Sequence, residues 1–245
     1  YEEAAAQGLV AGVNAAARAL GREQLTLSRS SSYIGTMIDD LVTKGVDEPY
    51  RIMTSRSEYR LVLRQDNADL RLTDIGRRIG LVSDERYAAF CAKRDAIDAE
   101  LKRVKSTYIP PSEALGDILR AKASSPVDTG VCLADLIRRP ELSYDELAAA
   151  DPARPPLSAQ VRMQVQISVK YEGYIDRQLA QIRQTARLED KRLPEGFDYA
   201  SVRGLRAEAA QKLNERRPVS IGQAGRIPGV NPADISVLLI YFGMV

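Results

Sequence analysis

The stretch "SDERYAAFCAKRDAIDAELKRVKS", Ser83 to Ser106, decides how the rest of the chain is read. Ser83 can cap a helix, Asp84 and Glu85 suit its positive end, and Tyr87, Phe90, Cys91, Ile97, Leu101 and Val104 recur with helical period. Outward from it the same grammar repeats. "IPPSE" breaks the helix and Ser112 starts another; "CLADLIRRP" and the Ser143–Glu146 capping box give two short ones. Thr73 can cap a short helix closed by Gly80. "DPARPP", residues 151–156, reads as a linker. Beyond it the spacing favours one long helix over residues 158–190. Helices then come over residues 205–216, after Ser220 with Gln223, and after Asn231 with Pro232 at its first position. Little reads as strand, so the expected fold class is mainly α: a helical middle region and a helical C-terminal bundle.

The opening "YEEAAAQGLVAGVNAAARAL" is also a helix, with acids in its first turn and a face of small residues, Ala4, Ala5, Gly8, Ala11, Gly12 and Ala15, suited to close approach to a sheet or ligand. It begins without a cap or a preceding loop, as a chain cut within a domain would.

The 245 residues allow one large or two modest domains, and a net charge of +2 means any nucleic-acid affinity must be local. No apolar run approaches a membrane span; "ISVLLIYFGMV" reads as a buried terminal helix. Cys91 and Cys132 stand far apart without metal-ligand neighbours, as two buried thiols in a reducing cytoplasm would. There is no histidine, which removes the commonest general base and metal ligand and any Ser-His or Cys-His nucleophile.

The densest charge pattern is "PYRIMTSRSEYRLVLRQDNADLRLT", residues 49–73. Ser55 with Glu58 fits a capping box, predicting a helix from Arg56 to about Arg64. On it Arg56, Arg60 and Arg64 would share a face with no acid at helical-neighbour positions, and Arg51 would stand ahead of its start. Guanidinium groups so placed suit phosphate, and Tyr50 and Tyr59 suit stacked bases. The competing reading is surface ion pairs with Asp66, Asp69 or acids from elsewhere. In "KYEGYI" Tyr171 and Tyr174 share a helical face beside Lys170 and Glu172, and Gly173 suggests close packing against the backbone, by another helix or a ligand. "IPGVNPADISVLL" resembles a helix-hairpin-helix, but Asn231-Pro232 replaces a glycine and removes an amide. A plain αα-hairpin burying Ile235, Leu238 and Leu239 fits better.

Three segments together, "YEEAAAQGLVAG", "EPYRIMTSRSEYRLVLRQDNADLRLT" with "GLVSDER", and "VKYEGYI" with "SIGQAGRIPGVNPADISVLL", resemble the C-terminal part of the MnmG/GidA family, across essentially the whole chain. The resemblance implies a FAD-dependent tRNA-modifying enzyme. With the GTPase MnmE it adds a carboxymethylaminomethyl or aminomethyl group at C5 of the wobble uridine, drawing on methylenetetrahydrofolate and NADH. It implies a cytoplasmic homodimer and a tRNA-binding role for Arg51, Arg56, Arg60, Arg64, Lys170, Tyr171 and Tyr174. Glu2 and Glu3 would lie near the flavin, and no catalytic residue or metal site falls in this chain. The Gly-x-Gly-x-x-Gly fingerprint is absent, and Cys91 and Cys132 do not occupy the places of the family's proposed catalytic cysteines. The implied layout is residues 1–20 as the terminal helix of a flavin domain, 21–150 as a tRNA-facing region and 151–245 as a partner-docking domain. This piece alone would be inactive. The alternative is a non-catalytic helical module that binds RNA or protein.

Overall fold

The computed structural model describes residues 1–45 and 48–244. Among them are eleven α-helices. In chain order they are α1 (Glu2–Ala19), α2 (Tyr33–Thr43), α3 (Ala68–Arg78), α4 (Asp84–Ser106), α5 (Glu113–Ala121), α6 (Leu133–Arg138), α7 (Ala159–Lys170), α8 (Glu172–Asp190), α9 (Ala207–Arg216), α10 (Ile221–Ala224) and α11 (Pro232–Tyr241). Two strands, β1 (Tyr108–Ile109) and β2 (Val131–Cys132), pair antiparallel with Tyr108 opposite Cys132. The expected mainly-α class holds.

Most of the expected caps form. Ser83 accepts from Arg86 N, Ser112 from Leu115 N and Ser220 from Gln223 N. Ser143 and Glu146 bond reciprocally, and Asn231 and Asp234 close a full capping box with Pro232 at the first position. Three expectations fail. Thr73 lies inside α3 rather than capping it. Residues 158–190 are two helices, broken where Tyr171 leaves helical geometry (φ −105°, ψ 9°). Helix α2, capped by Ser32, has no counterpart among the expected helices.

The chain forms two compact units. The first comprises Tyr1–Leu63 and Arg177–Val245. One core lies in its C-terminal bundle, where Tyr199, Leu213, Ile221, Ile227 and Leu238 are buried and Phe197 meets Tyr199, Tyr241 and Phe242 edge-on or tilted. Its N-terminal part packs α1 on α2, and Asn14 bonds both the amide and the carbonyl of Leu25, at 2.6 and 3.0 Å. Helix α2 runs hard against the preceding loop: a Cβ at Gly35 would stand 2.2 Å from the Ser28 carbonyl oxygen.

The second unit, Arg64–Asp176, is built on α4, which packs against α3, α6 and α7 over Ile97, Val104, Leu136, Ile137, Val165 and Val169. A buried charge cluster locks it. Arg103 reaches Glu100 and Asp151 at 2.7 and 2.5 Å, and Tyr144 Oη donates to Glu100 at 2.6 Å. Burial first, then the Glu100 carboxylate, push the Tyr144 hydroxyl up to about 12. Asn14 ties helix α1 to the loop at Leu25, across the expected boundary at residue 20. Asp151, the first residue of the expected linker, is buried inside the second unit by Arg103.

Candidate functional site

The arginine segment does not form the expected helix. Thr54–Arg56 makes one 3₁₀ turn, Ser57 is extended, and a further turn lies at residues 59–63. A capping box at Ser55 would need the Glu58 carboxylate to reach back to it. Arg29 takes that carboxylate instead, at 2.8 and 3.2 Å. Ser57, Tyr59 and Leu63 turn into the protein, which buries Tyr59 and withdraws it from base stacking.

What survives is a set of outward cations. Arg51, Arg56 and Arg60 are exposed, and none pairs with a carboxylate among the described residues. Arg56 lies over the Tyr50 ring, 4.8 Å from its centroid, and Tyr50 Oη donates to Asp40 at 2.7 Å. Burial, then Asp40, raise the Tyr50 hydroxyl above its ordinary value, so it stays protonated. Arg64 differs: its Nε faces Asp66 at 3.1 and 3.2 Å, one of the acids the surface-pair reading named. Glu3 accepts from Ile52 N at 3.0 Å, and that bond, with Arg51 nearby, holds its carboxyl below the usual range. Glu3 therefore anchors the segment's start, while Glu2 is exposed. The expected small-residue face of α1 has no neighbour at its glycines; a Cβ at Gly8 or Gly12 would meet nothing within 4 Å.

Beneath the segment lies a charge network with little signal in the sequence. Arg29, 8% exposed, contacts Asp39, Asp40 and Glu58 at 3.1, 2.6 and 2.8 Å, and its Nε alone lacks a partner. Desolvation opposes the Asp40 charge, but hydrogen bonds from Lys44, Tyr50 and Arg29 hold its carboxyl below the ordinary value. The Asp39-Asp40 pair about ten residues after an isolated arginine is the one available hint. Gln178, whose amide bonds to Val62 N and Glu58 O at 2.9 and 3.2 Å, gives none.

In the second unit, Tyr171 and Tyr174 are exposed, at 47% and 57%. Lys170 is occupied: its Nζ donates to the carbonyls of Arg139 and Pro140 at 2.7 and 3.3 Å, just past the end of α6. Burial lowers its ammonium below the ordinary lysine value. Glu172 is held by Lys105 and Arg138, each at 2.5 Å. A Cβ on Gly173 would meet nothing within 4 Å, so the glycine marks no close packing.

The terminal hairpin is a plain αα-hairpin. Asn231 N is spent on Asp234 at 2.9 Å and Val230 N on Ile227 O at 3.1 Å, so these loop amides do not face a phosphate. Arg206 fixes the buried Asp234 at 2.7 Å. Leu238 is buried and Ile235 and Leu239 pack on it, but Ile240 and Tyr241 face outward with Val219. Cys91 and Cys132 are half-buried free thiols rather than fully buried ones. No group of His, Cys, Asp or Glu among the described residues could hold a metal ion, and no helix there is long and apolar enough to cross a membrane.

Comparison with known proteins gives a consistent answer. Residues 84–179 match the family model of the tRNA modifying enzyme MnmG/GidA C-terminal helical domain, and residues 181–243 that of its C-terminal helical bundle. The chain is 59% identical to the tRNA uridine 5-carboxymethylaminomethyl modification enzyme MnmG of Caldicellulosiruptor saccharolyticus. It is 54% identical to the proteins of the same name from Geobacillus thermodenitrificans and Bacillus subtilis. Each alignment covers 98% of this chain and 38% of the relative, so the chain spans well under half the length of the curated proteins it matches. The structure of Aquifex aeolicus GidA in its form II crystal is similar over 99% of this chain and 38% of its own, with a TM-score of 0.83 at 42% identity.

Proposed function

Since this chain belongs to the MnmG/GidA family, as its C-terminal helical portion, we propose that it serves tRNA and partner binding in an enzyme whose redox chemistry is housed elsewhere. In this reading the parent is FAD-dependent and acts with the GTPase MnmE. It installs the carboxymethylaminomethyl or aminomethyl group at C5 of the wobble uridine, with methylenetetrahydrofolate and NADH as co-substrates. The described residues do not fit the flavin. Their only sheet is two strands of two residues, and α1 opens on two carboxylates, whose negative charge opposes that of a pyrophosphate. No step of the flavin chemistry is assigned to this chain.

The observation that supports the tRNA role is the group Arg51, Arg56 and Arg60: three exposed guanidinium groups within ten residues, none in an ion pair with a carboxylate among the described residues. Their charge is available to phosphate, in bidentate geometry that a lysine cannot match. Arg64 is already paired, and Lys170 serves carbonyls, so these two contribute less in this reading. Tyr171 and Tyr174 offer exposed rings for stacking on unpaired bases. The bundle over residues 181–243, with Val219, Ile240 and Tyr241 outward, is the proposed docking face for the GTPase.

The test is tRNA affinity as a function of salt for the full-length enzyme and its Arg60→Ala variant, with circular dichroism as control. Loss of one phosphate contact weakens binding about uniformly across tRNA sequences and lowers the salt slope by roughly one unit. An unchanged affinity and slope would overturn the assignment.

A further inference from the structure

Arg60 sits at the corner of a turn whose base is closed from outside. The Tyr59 carbonyl accepts from Val62 N at 3.0 Å and from Leu63 N at 2.8 Å, while the side chains of Tyr59 and Leu63 are buried. Arg60 and Leu61 project at the corner. One side chain of α8 spans the base: Gln178 Oε1 accepts from Val62 N at 2.9 Å, and its Nε2 donates to Glu58 O at 3.2 Å. An uncharged primary amide is suited to this, because it sets an acceptor and two donors on one planar group. The facing backbone groups are one donor and one acceptor, so they fix the orientation of the amide.

The stem ahead of Arg60 is held as well. Arg29 grips the Glu58 carboxylate, and its Nη2 lies 3.5 Å from Arg56 O. Asp39 and Asp40 immobilise Arg29 in turn. The backbone flanking Arg60 is thus tied at Glu58 and Val62 by a group that carries no charge and offers phosphate nothing that attracts it strongly.

We propose that Gln178 is a positioning residue that presents the Arg60 guanidinium to a tRNA phosphate. This rests on the assignment of Arg60 to tRNA binding under the proposed function. The physical basis is preorganisation: a cation on an untied turn must order its backbone on binding, at a cost in conformational entropy that a closed turn has already met on folding.

A double-mutant cycle in the full-length enzyme tests it, with tRNA affinity measured at fixed salt for wild type, Gln178→Met, Arg60→Ala and the double variant. Methionine keeps the length and neutrality of the side chain and removes both hydrogen bonds. Gln178→Met is expected to weaken tRNA binding about fivefold, as one net hydrogen bond's worth of ordering implies. In the Arg60→Ala background it is expected to cost less than about twofold, since there is then no guanidinium left to position. A loss of equal size in both backgrounds overturns the proposal, as does an unaltered affinity for Gln178→Met when Arg60→Ala binds weakly. If Arg60→Ala itself changes neither affinity nor salt slope, the tRNA assignment fails and this inference with it. Gln178→Asn, which withdraws the same amide by one methylene, gives the same coupling at smaller amplitude should the methionine variant not fold.

Discussion

Arg226 and Asp39, 187 residues apart in the chain, meet as a two-bonded ion pair, Nε to Oδ2 at 2.7 Å and Nη2 to Oδ1 at 2.9 Å. Arg226 also reaches Glu189 and the Gly222 carbonyl, and Asp39 also meets Arg29. This pair ties α2 to the hairpin of α10 and α11 within the first unit. Arg226→Ala leaves Asp39, 17% exposed, short of a partner and is expected to cost about 3 kcal/mol, read as a lower urea midpoint. Arg226→Lys keeps the charge but loses the fork and is expected to fall between the two.

Two glycines predict opposite signs. Gly35→Ala drives a methyl group to 2.2 Å from the Ser28 carbonyl oxygen, backbone that cannot swing aside, and is expected to destabilise by about 2 kcal/mol or more. Gly173→Ala, in the first turn of α8 and facing open space, is expected to stabilise by about 0.5 kcal/mol through a less flexible unfolded chain. Denaturant melts of the two variants check both signs.

Acid sensitivity is predicted at Glu146. Lys122, then Ser143, pull its carboxyl down to about 2, below the ordinary carboxylate value. A depressed folded pKa contributes stability that is fully present above the unfolded value of about 4.3 and is lost as pH falls through the folded one. The melting-temperature advantage of wild type over Glu146→Gln is therefore expected to be constant from pH 7 to about 5 and to shrink steadily toward pH 2. A gap independent of pH would contradict the assigned ion pair.

Lys170 separates structure from binding. Lys170→Met keeps the packed stem and deletes the ammonium that holds the Arg139 and Pro140 carbonyls. The expected outcome is a loss of about 1 kcal/mol in stability with no change in the salt slope of tRNA binding. A slope reduced by about one unit would make Lys170 a phosphate contact instead.

The sequence determined the helical class and most helix starts, because a cap such as Ser83, Ser112, Ser220 or Asn231 is satisfied within three residues and needs nothing distant. It also marked Arg56 and Arg60 as cations with no acid three or four residues away, and both stay outside any ion pair among the described residues although the helix expected to display them does not form. Only the tertiary structure decided which carboxylates were already taken. Ser55 and Glu58 satisfy the capping-box pattern as well as Ser143 and Glu146 do, but Arg29, 29 residues before Glu58, outcompetes the box. Asp151 reads as the start of a linker until Arg103, 48 residues away, buries it. Gln178 is one polar residue on a polar helix until the turn at Val62, 116 residues distant, is brought against it. Local hydrogen bonds order few residues and can be read from spacing. A buried charge or amide finds its partner only when the folded chain has removed the water that would otherwise satisfy it.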